Sequence, residues 1–239
     1  MARLDAYTAV LFDLDNTLYE YAPCHHAGLE AGYEALNAHT PTTRKGFLET
    51  HASVRSSLAQ QLQGQAASHE RSLFFKRLVE ECLATKPLEA SAIGSRPELA
   101  LLLYDAYWSA FLAAMQPAPG AHELLASLAQ NHQLALISNH TNLIQLKKVV
   151  ALDLQQYFQV ILTSEEAGVE KPDRAIFDIA LRSLGVPAPQ ALMVGDDLES
   201  DYQGARAAGL QAVLSIQFQP DFEAGHEIQT ITHLNQLLD

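Results

Sequence analysis

Two aspartates one residue apart close a short apolar run near the N-terminus, Ala9-Val10-Leu11-Phe12-Asp13-Leu14-Asp15-Asn16-Thr17-Leu18. The run predicts a buried strand that ends near Asp13. Both acids then fall on the loop at its carboxyl end, where open α/β sheets place their chemistry. Carboxylates this close repel unless a cation, a proton or hydrogen bonds compensate. One reading is a nucleophilic aspartate, an acid/base aspartate and a divalent metal. The other is a strand that ends in an Asx-turn, because Asp and Asn are common turn formers. This stretch leaves both open.

The chain that follows changes character twice. Apolar spacing predicts helices over residues 24–36, 44–60, 69–83 and 97–115, with breaks at Thr40-Pro41-Thr42, Lys86-Pro87 and Ile93-Gly94-Ser95-Arg96-Pro97. No strand pattern interrupts them. An α/β connection is usually far shorter, so residues 20–115 are expected to form a helical cap subdomain, able to close over a site, inserted into a core of residues 1–19 and 116–239. After Gln116-Pro117-Ala118-Pro119-Gly120 the pattern alternates. Strands are expected at 134–137, 159–162, 191–194 and 212–216. Helices are expected at 121–130, 142–152, 172–184, from Ser200 or Asp201 to Ala208, and at 231–238. Phe218 to Phe222 reads as a surface loop. Such alternation argues an α/β fold, a Rossmann-like and mostly parallel sheet covered by helices.

Charge and cysteine usage narrow the partners. The formal net charge of −13 over 239 residues disfavours nucleic acid or an anionic membrane as the main partner. It leaves room for a phosphorylated small molecule, because a metal and one lysine reverse the potential locally. Cys24 and Cys82 form no metal-ligand spacing and fit a reducing compartment. Neither a signal peptide nor a membrane-length apolar run is apparent, so a cytoplasmic protein, monomer or homodimer, is expected.

Three later strand ends carry polar residues. At Ile137-Ser138-Asn139 a hydroxyl and an amide could hold phosphoryl oxygens, although both are also ordinary turn residues. Lys171 stands before Pro172, which can open a helix; a cation there runs against the helix dipole and invites an anionic partner. Gly195-Asp196-Asp197-Leu198-Glu199-Ser200-Asp201 gathers acids beyond what one helix cap explains. Mg²⁺ takes a few hard oxygen ligands and keeps water in the rest of its shell. Asp13, Asp196 and the backbone carbonyl of Asp15 would supply that minimum, with Asp197 or Asp201 holding the bound waters or Lys171.

Together the four stretches resemble the haloacid dehalogenase-like hydrolase superfamily. Its aspartate–any–aspartate–any–threonine signature is matched by Asp13, Asp15 and Thr17, its second-motif serine by Ser138, its third-motif lysine by Lys171, and its fourth motif by Gly195, Asp196 and Asp201. The helical insertion resembles the cap of the phosphatase branch that carries one between the first and second motifs. The resemblance implies that Asp13 attacks phosphorus to form an aspartyl-phosphate. Asp15 would serve as acid and then base, Ser138 and Lys171 would hold phosphate, Mg²⁺ would be required, and Thr17, Asn139 and Asn16 would neighbour the phosphate. Dehalogenases of this superfamily typically lack an aspartate at the position of Asp15, so phosphatase is favoured over 2-haloacid dehalogenation. The implied substrate is a small phosphorylated metabolite such as a nucleoside monophosphate, a sugar phosphate or phosphoglycolate. A non-catalytic binding protein on the same scaffold is the other alternative.

Overall fold

The strand expected at the N-terminus is the centre of the sheet. In the computed structural model, which describes residues 4–84, 96–219, 221–223, 225 and 228–238, β1 (Ala9–Phe12) is buried along its whole length. The other strands are β2 (Gln133–Ser138), β3 (Val160–Thr163), β4 (Ala191–Gly195), β5 (Gln211–Ser215) and β6 (Thr230–Ile231). They pair in the order β3-β2-β1-β4-β5-β6, every pair parallel. A parallel sheet needs both faces covered, and the alternating side chains of β1 are all inaccessible to solvent. Ala9 and Leu11 join Ala135, Ile137 and Met193 in a core cluster with Ile176, Phe177, Ala180 and Leu181. Val10 and Phe12 point to the opposite face.

Two compact units make up the chain: residues 1–21 with 115–239, and residues 22–114. The first holds the sheet and α5 (Ala121–Leu128), α6 (Asn142–Ala151), α7 (Ser164–Ala167), α8 (Arg174–Leu184) and α9 (Gly204–Ala208). The second is helical in its described residues. It contains most of α1 (Tyr21–His39), then α2 (Arg44–Gln61), α3 (Arg71–Cys82) and α4 (Arg96–Ala113). Its core is aromatic, with Phe47, Phe75, Tyr107 and Phe111 almost fully buried. Gly28 on α1 allows the ring of Tyr107 to approach, since a Cβ there would lie 2.7 Å from two ring carbons. The breaks expected at Lys86-Pro87 and over 93–95 lie outside the described residues, and α4 starts at Arg96.

Two expectations are corrected. The segment read as a helix over 231–238 begins as strand β6 and ends in a 3₁₀ turn, Leu234–Leu237; Ile231 takes its place in the sheet beside Ser215 of β5, and His233 and Gln236 cap the turn. The helix expected from Ser200 or Asp201 starts earlier. Asp197 caps a π-helical turn, Leu198–Gln203, which runs into α9. No helix among the described residues is long and apolar enough to cross a membrane.

Candidate active site

The register of the sheet assembles the polar strand ends. Phe12 pairs with Leu136 on one side and Val194 on the other. The residues just beyond, Asp13, Ser138 and Asp196, therefore emerge at neighbouring carboxyl ends, at the point where strand order reverses. The backbone N–H of Asp13 still donates to the Val194 carbonyl at 2.9 Å, which fixes its height.

Lys171 ties this end together. Its ammonium donates to Asp13 Oδ1 at 2.6 Å, to Asp201 Oδ1 at 2.6 Å and to the Ile137 carbonyl at 2.9 Å, so all three hydrogens are used. Burial alone would lower its pKa, but Asp13 and Asp201 raise it above the usual lysine range. Asn139 braces the loop that carries the lysine. Its amide donates to the Lys171 carbonyl at 2.8 Å, and its carbonyl oxygen accepts the Lys171 N–H at 2.7 Å. Asp201 is held from its other oxygen by the Asp197 N–H at 3.1 Å. Asp197 itself points away from this arrangement, accepting from Glu199 N and Ser200 N at 3.0 and 2.7 Å as a cap.

Asp13, Asp196 and Asp201 each offer a carboxylate oxygen, and these oxygens lie within 4.8 Å of one another. Burial pushes the Asp13 carboxyl well above its ordinary range; Lys171 opposes this, while Asp201, Asp196 and Asp15 add to it. Burial and then Asp201 push Asp196 up to about 7. Three crowded carboxylates against a single ammonium are a donor set short of positive charge. Hard oxygen ligands of this kind suit a divalent cation. Gln219 steadies Asp196, donating to its carbonyl and carboxylate at 3.0 and 3.1 Å.

Asp15 belongs to a different cluster. Lys148 on α6, wholly buried, donates to its two oxygens at 2.7 and 3.0 Å. The Tyr19 hydroxyl and Gln145 Nε2 also donate to it, and Gln145 Nε2 donates to Ser138 Oγ. Burial would raise the pKa of Asp15, but the charge of Lys148, then His140, and the hydrogen bonds from Lys148 and Tyr19 bring it down to about 2. Thr17 is fully buried, and its hydroxyl has no hydrogen-bond partner among the described residues. Asn16 adopts φ 57° and accepts the Tyr21 N–H at 3.0 Å, closing the turn into α1.

Lys148, Gln145 and Gln219 are absent from the sequence expectation, and Tyr19, which follows the first motif closely, is expected there only as a cleft-lining residue and not as a partner of Asp15. For α6 a signal existed, but it pointed the wrong way. Leu143, Leu146 and Val150 recur at helical spacing and would be taken as the inward face; they are exposed, and Ile144, Gln145, Lys148 and Val149 are buried instead.

With this geometry in place, comparison with known proteins gives a consistent result. The family model for the haloacid dehalogenase-like hydrolases matches residues 7–209. Ribulose-1,5-bisphosphate 5-phosphatase of Halopiger xanaduensis is 42% identical, over 97% of this chain and 99% of that protein. Glyceraldehyde 3-phosphate phosphatase of Methanothermobacter thermautotrophicus is 26% identical, over 96% and 97%. Among solved structures, a 2-haloacid dehalogenase from Pseudomonas syringae superposes with a TM-score of 0.73 at 27% identity, covering 97% of this chain and 96% of that one.

Proposed function

The chain belongs to the haloacid dehalogenase-like hydrolase family, and from that premise we propose that it is a magnesium-dependent phosphomonoesterase acting on a small phosphorylated metabolite, a sugar phosphate first among the candidates. The observation that carries the proposal is the meeting of Asp13, Lys171, Asp201 and Asp196 at one sheet end, with Asp15 two residues from Asp13.

Asp13 attacks the phosphorus, and the bond to the leaving oxygen breaks as the aspartyl-phosphate forms. Asp15 gives that oxygen a proton. It later takes one from the water that attacks the phosphorus, releasing phosphate and restoring the Asp13 carboxylate. Lys148 and Tyr19 hold Asp15 ionised, the form needed for the second half. To act as the acid it must leave this ion pair and gain a proton. Lys171 neutralises Asp13 against the incoming anion, and Ser138 at the end of β2, with Thr17 two residues beyond Asp15, offers hydroxyl contacts to the transferred group. Asp13, Asp196 and the Asp15 backbone carbonyl would hold the magnesium ion, with Asp201 in reach. The ion would screen the nucleophile from the phosphate and stabilise charge on its equatorial oxygens.

The names of the two relatives above, which align along nearly the whole chain, favour sugar phosphates over nucleotides. Dehalogenation is disfavoured by Asp15, because a departing halide needs no proton and so no acid. The test is hydrolysis of p-nitrophenyl phosphate and of a panel of sugar phosphates, nucleoside monophosphates and phosphoglycolate, with magnesium and with chelator. Turnover should require the metal and fall at least about 10³-fold in Asp13→Asn. Turnover that survives either treatment would overturn the proposal.

A further inference from the structure

Helix α6 buries a glutamine where packing asks for nothing polar. Gln145 is wholly inaccessible to solvent and lies one turn before Lys148 on the same face, while Leu143, Leu146 and Val150 are exposed on the other. Its Nε2 donates to Ser138 Oγ and, at 3.4 Å, to Asp15 Oδ2. Its Oε1 is buried without a hydrogen-bond partner among the described residues. A buried amide left half satisfied costs stability, and a methionine would fill the same space without that cost. Packing therefore explains this side chain poorly, and its use lies with Nε2.

The donors and acceptors around it fix which way each hydrogen points. An ionised carboxylate only accepts, so the amide presents its nitrogen, not its oxygen, between Asp15 and Ser138. Lys148 keeps Asp15 in that form, donating to its two oxygens at 2.7 and 3.0 Å. Ser138 Oγ then accepts the other amide hydrogen. A serine hydroxyl carries one hydrogen and two acceptor sites. With the glutamine in one acceptor site, the serine's own hydrogen is turned away from Gln145, and it donates to no group among the described residues. Without the amide, the hydroxyl is free to rotate and to give its hydrogen to a neighbouring acceptor instead.

We infer that Gln145 is a positioning residue: it holds the Ser138 hydroxyl so that its hydrogen is presented to an oxygen of the transferred phosphoryl group. This rests on the phosphatase reading above, and it adds to that reading a residue that acts through Ser138 and not on the substrate.

A double-mutant cycle on the full chain tests it, with p-nitrophenyl phosphate as substrate, inorganic phosphate as inhibitor and magnesium present. Ser138→Ala and Gln145→Met should each lower kcat/KM about tenfold and weaken inhibition by phosphate, the scale of one hydrogen bond to a charged group. In the Ser138→Ala chain, adding Gln145→Met should cost less than about twofold, because the hydroxyl it orients is gone. Gln145→Met alone should unfold at no lower temperature than the wild type, since it removes an unpartnered buried oxygen. Gln145→Asn, which withdraws the amide by one methylene, is the second variant if methionine is not tolerated, and the same dependence on Ser138 is expected of it. Losses that multiply, about tenfold in either background, would overturn the inference and leave the phosphatase reading intact. Wild-type turnover in Gln145→Met with a lowered unfolding temperature would do the same, making Gln145 a packing residue. A wild-type chain that cleaves no phosphate ester would sink the phosphatase reading itself, and the inference with it.

Discussion

Lys171 and Lys148 divide the work of charge at the candidate site. Lys171 meets Asp13, the proposed nucleophile, and Lys148 meets Asp15, the proposed acid and base, two residues on. Neither charge is cheap to bury, and each is matched by carboxylates with direct hydrogen bonds. Lys148 is the more informative of the two, because α6 leaves Leu143, Leu146 and Val150 in solvent while it buries a lysine and a glutamine. Packing alone would choose the opposite face. Replacing Lys148 by Met frees Asp15 from its strongest partner. We expect kcat to fall by about a hundredfold, the scale of a misplaced catalytic group, with KM little changed. Because Lys148 holds Asp15 in the ionised form that the second half needs, the loss should fall on hydrolysis of the aspartyl-phosphate and be about equal for an alkyl phosphate and for p-nitrophenyl phosphate. Steady-state kinetics on both esters checks this, and a loss confined to the alkyl phosphate would place the lysine in leaving-group protonation instead.

At the scale of elements, small residues set the spacing of the site. Gly195 ends β4 where the chain turns to the acidic loop, and a Cβ there would lie 2.2 Å from Asp201 Oδ2. Gly195→Ala must push Asp201 off Lys171, so both stability and turnover should drop, stability by about 1–3 kcal/mol as for other overpacked sites. Denaturant unfolding and kinetics of the one variant measure both. The helical unit has its own signature. Burial first, then the neighbouring cations, depress His25 to about 3 and His51 to about 4, from an ordinary 6.5. As pH falls below about 6.5 the unfolded chain takes up these protons while the folded unit does not. Their stabilising effect is therefore complete above that pH and is lost on descending towards 4 and 3. Asp13 and Asp196, with raised folded pKa values, act in the opposite direction over the same window, so the histidine contribution is read as a difference: calorimetry between pH 7 and 4 should show the unfolding temperature of the wild type falling relative to that of His51→Leu as pH drops.

The same elements explain what the sequence made legible. β1, β2 and β4 were readable because short apolar runs ended abruptly in polar residues, and Asp13, Ser138 and Asp196 stand at such ends, whereas Lys171 lies in the loop between α7 and α8. The parallel order that brings them together left no local trace. Lys148 was hidden by the inverted pattern of α6. Asp197 looked equal to Asp201 until the cap at Glu199 and Ser200 claimed it.

For the whole molecule, the charge of −13 means that an anionic substrate approaches against the general field. Local cations would reverse it: Lys171 beside Asp13, Lys148 beside Asp15, and the metal for which the three carboxylates are suited. A protein so arranged should lose turnover steeply on chelation while its fold persists. The central claim, however, is covalent: a phosphoryl group passes through Asp13. Rapid acid quench during turnover of p-nitrophenyl phosphate, followed by peptide mass spectrometry, reads this directly. The account predicts one phosphoryl group on the peptide that contains Asp13, absent in Asp13→Asn. Rapid turnover with that peptide unmodified at every quench time, or with the phosphoryl group on another residue, would contradict it.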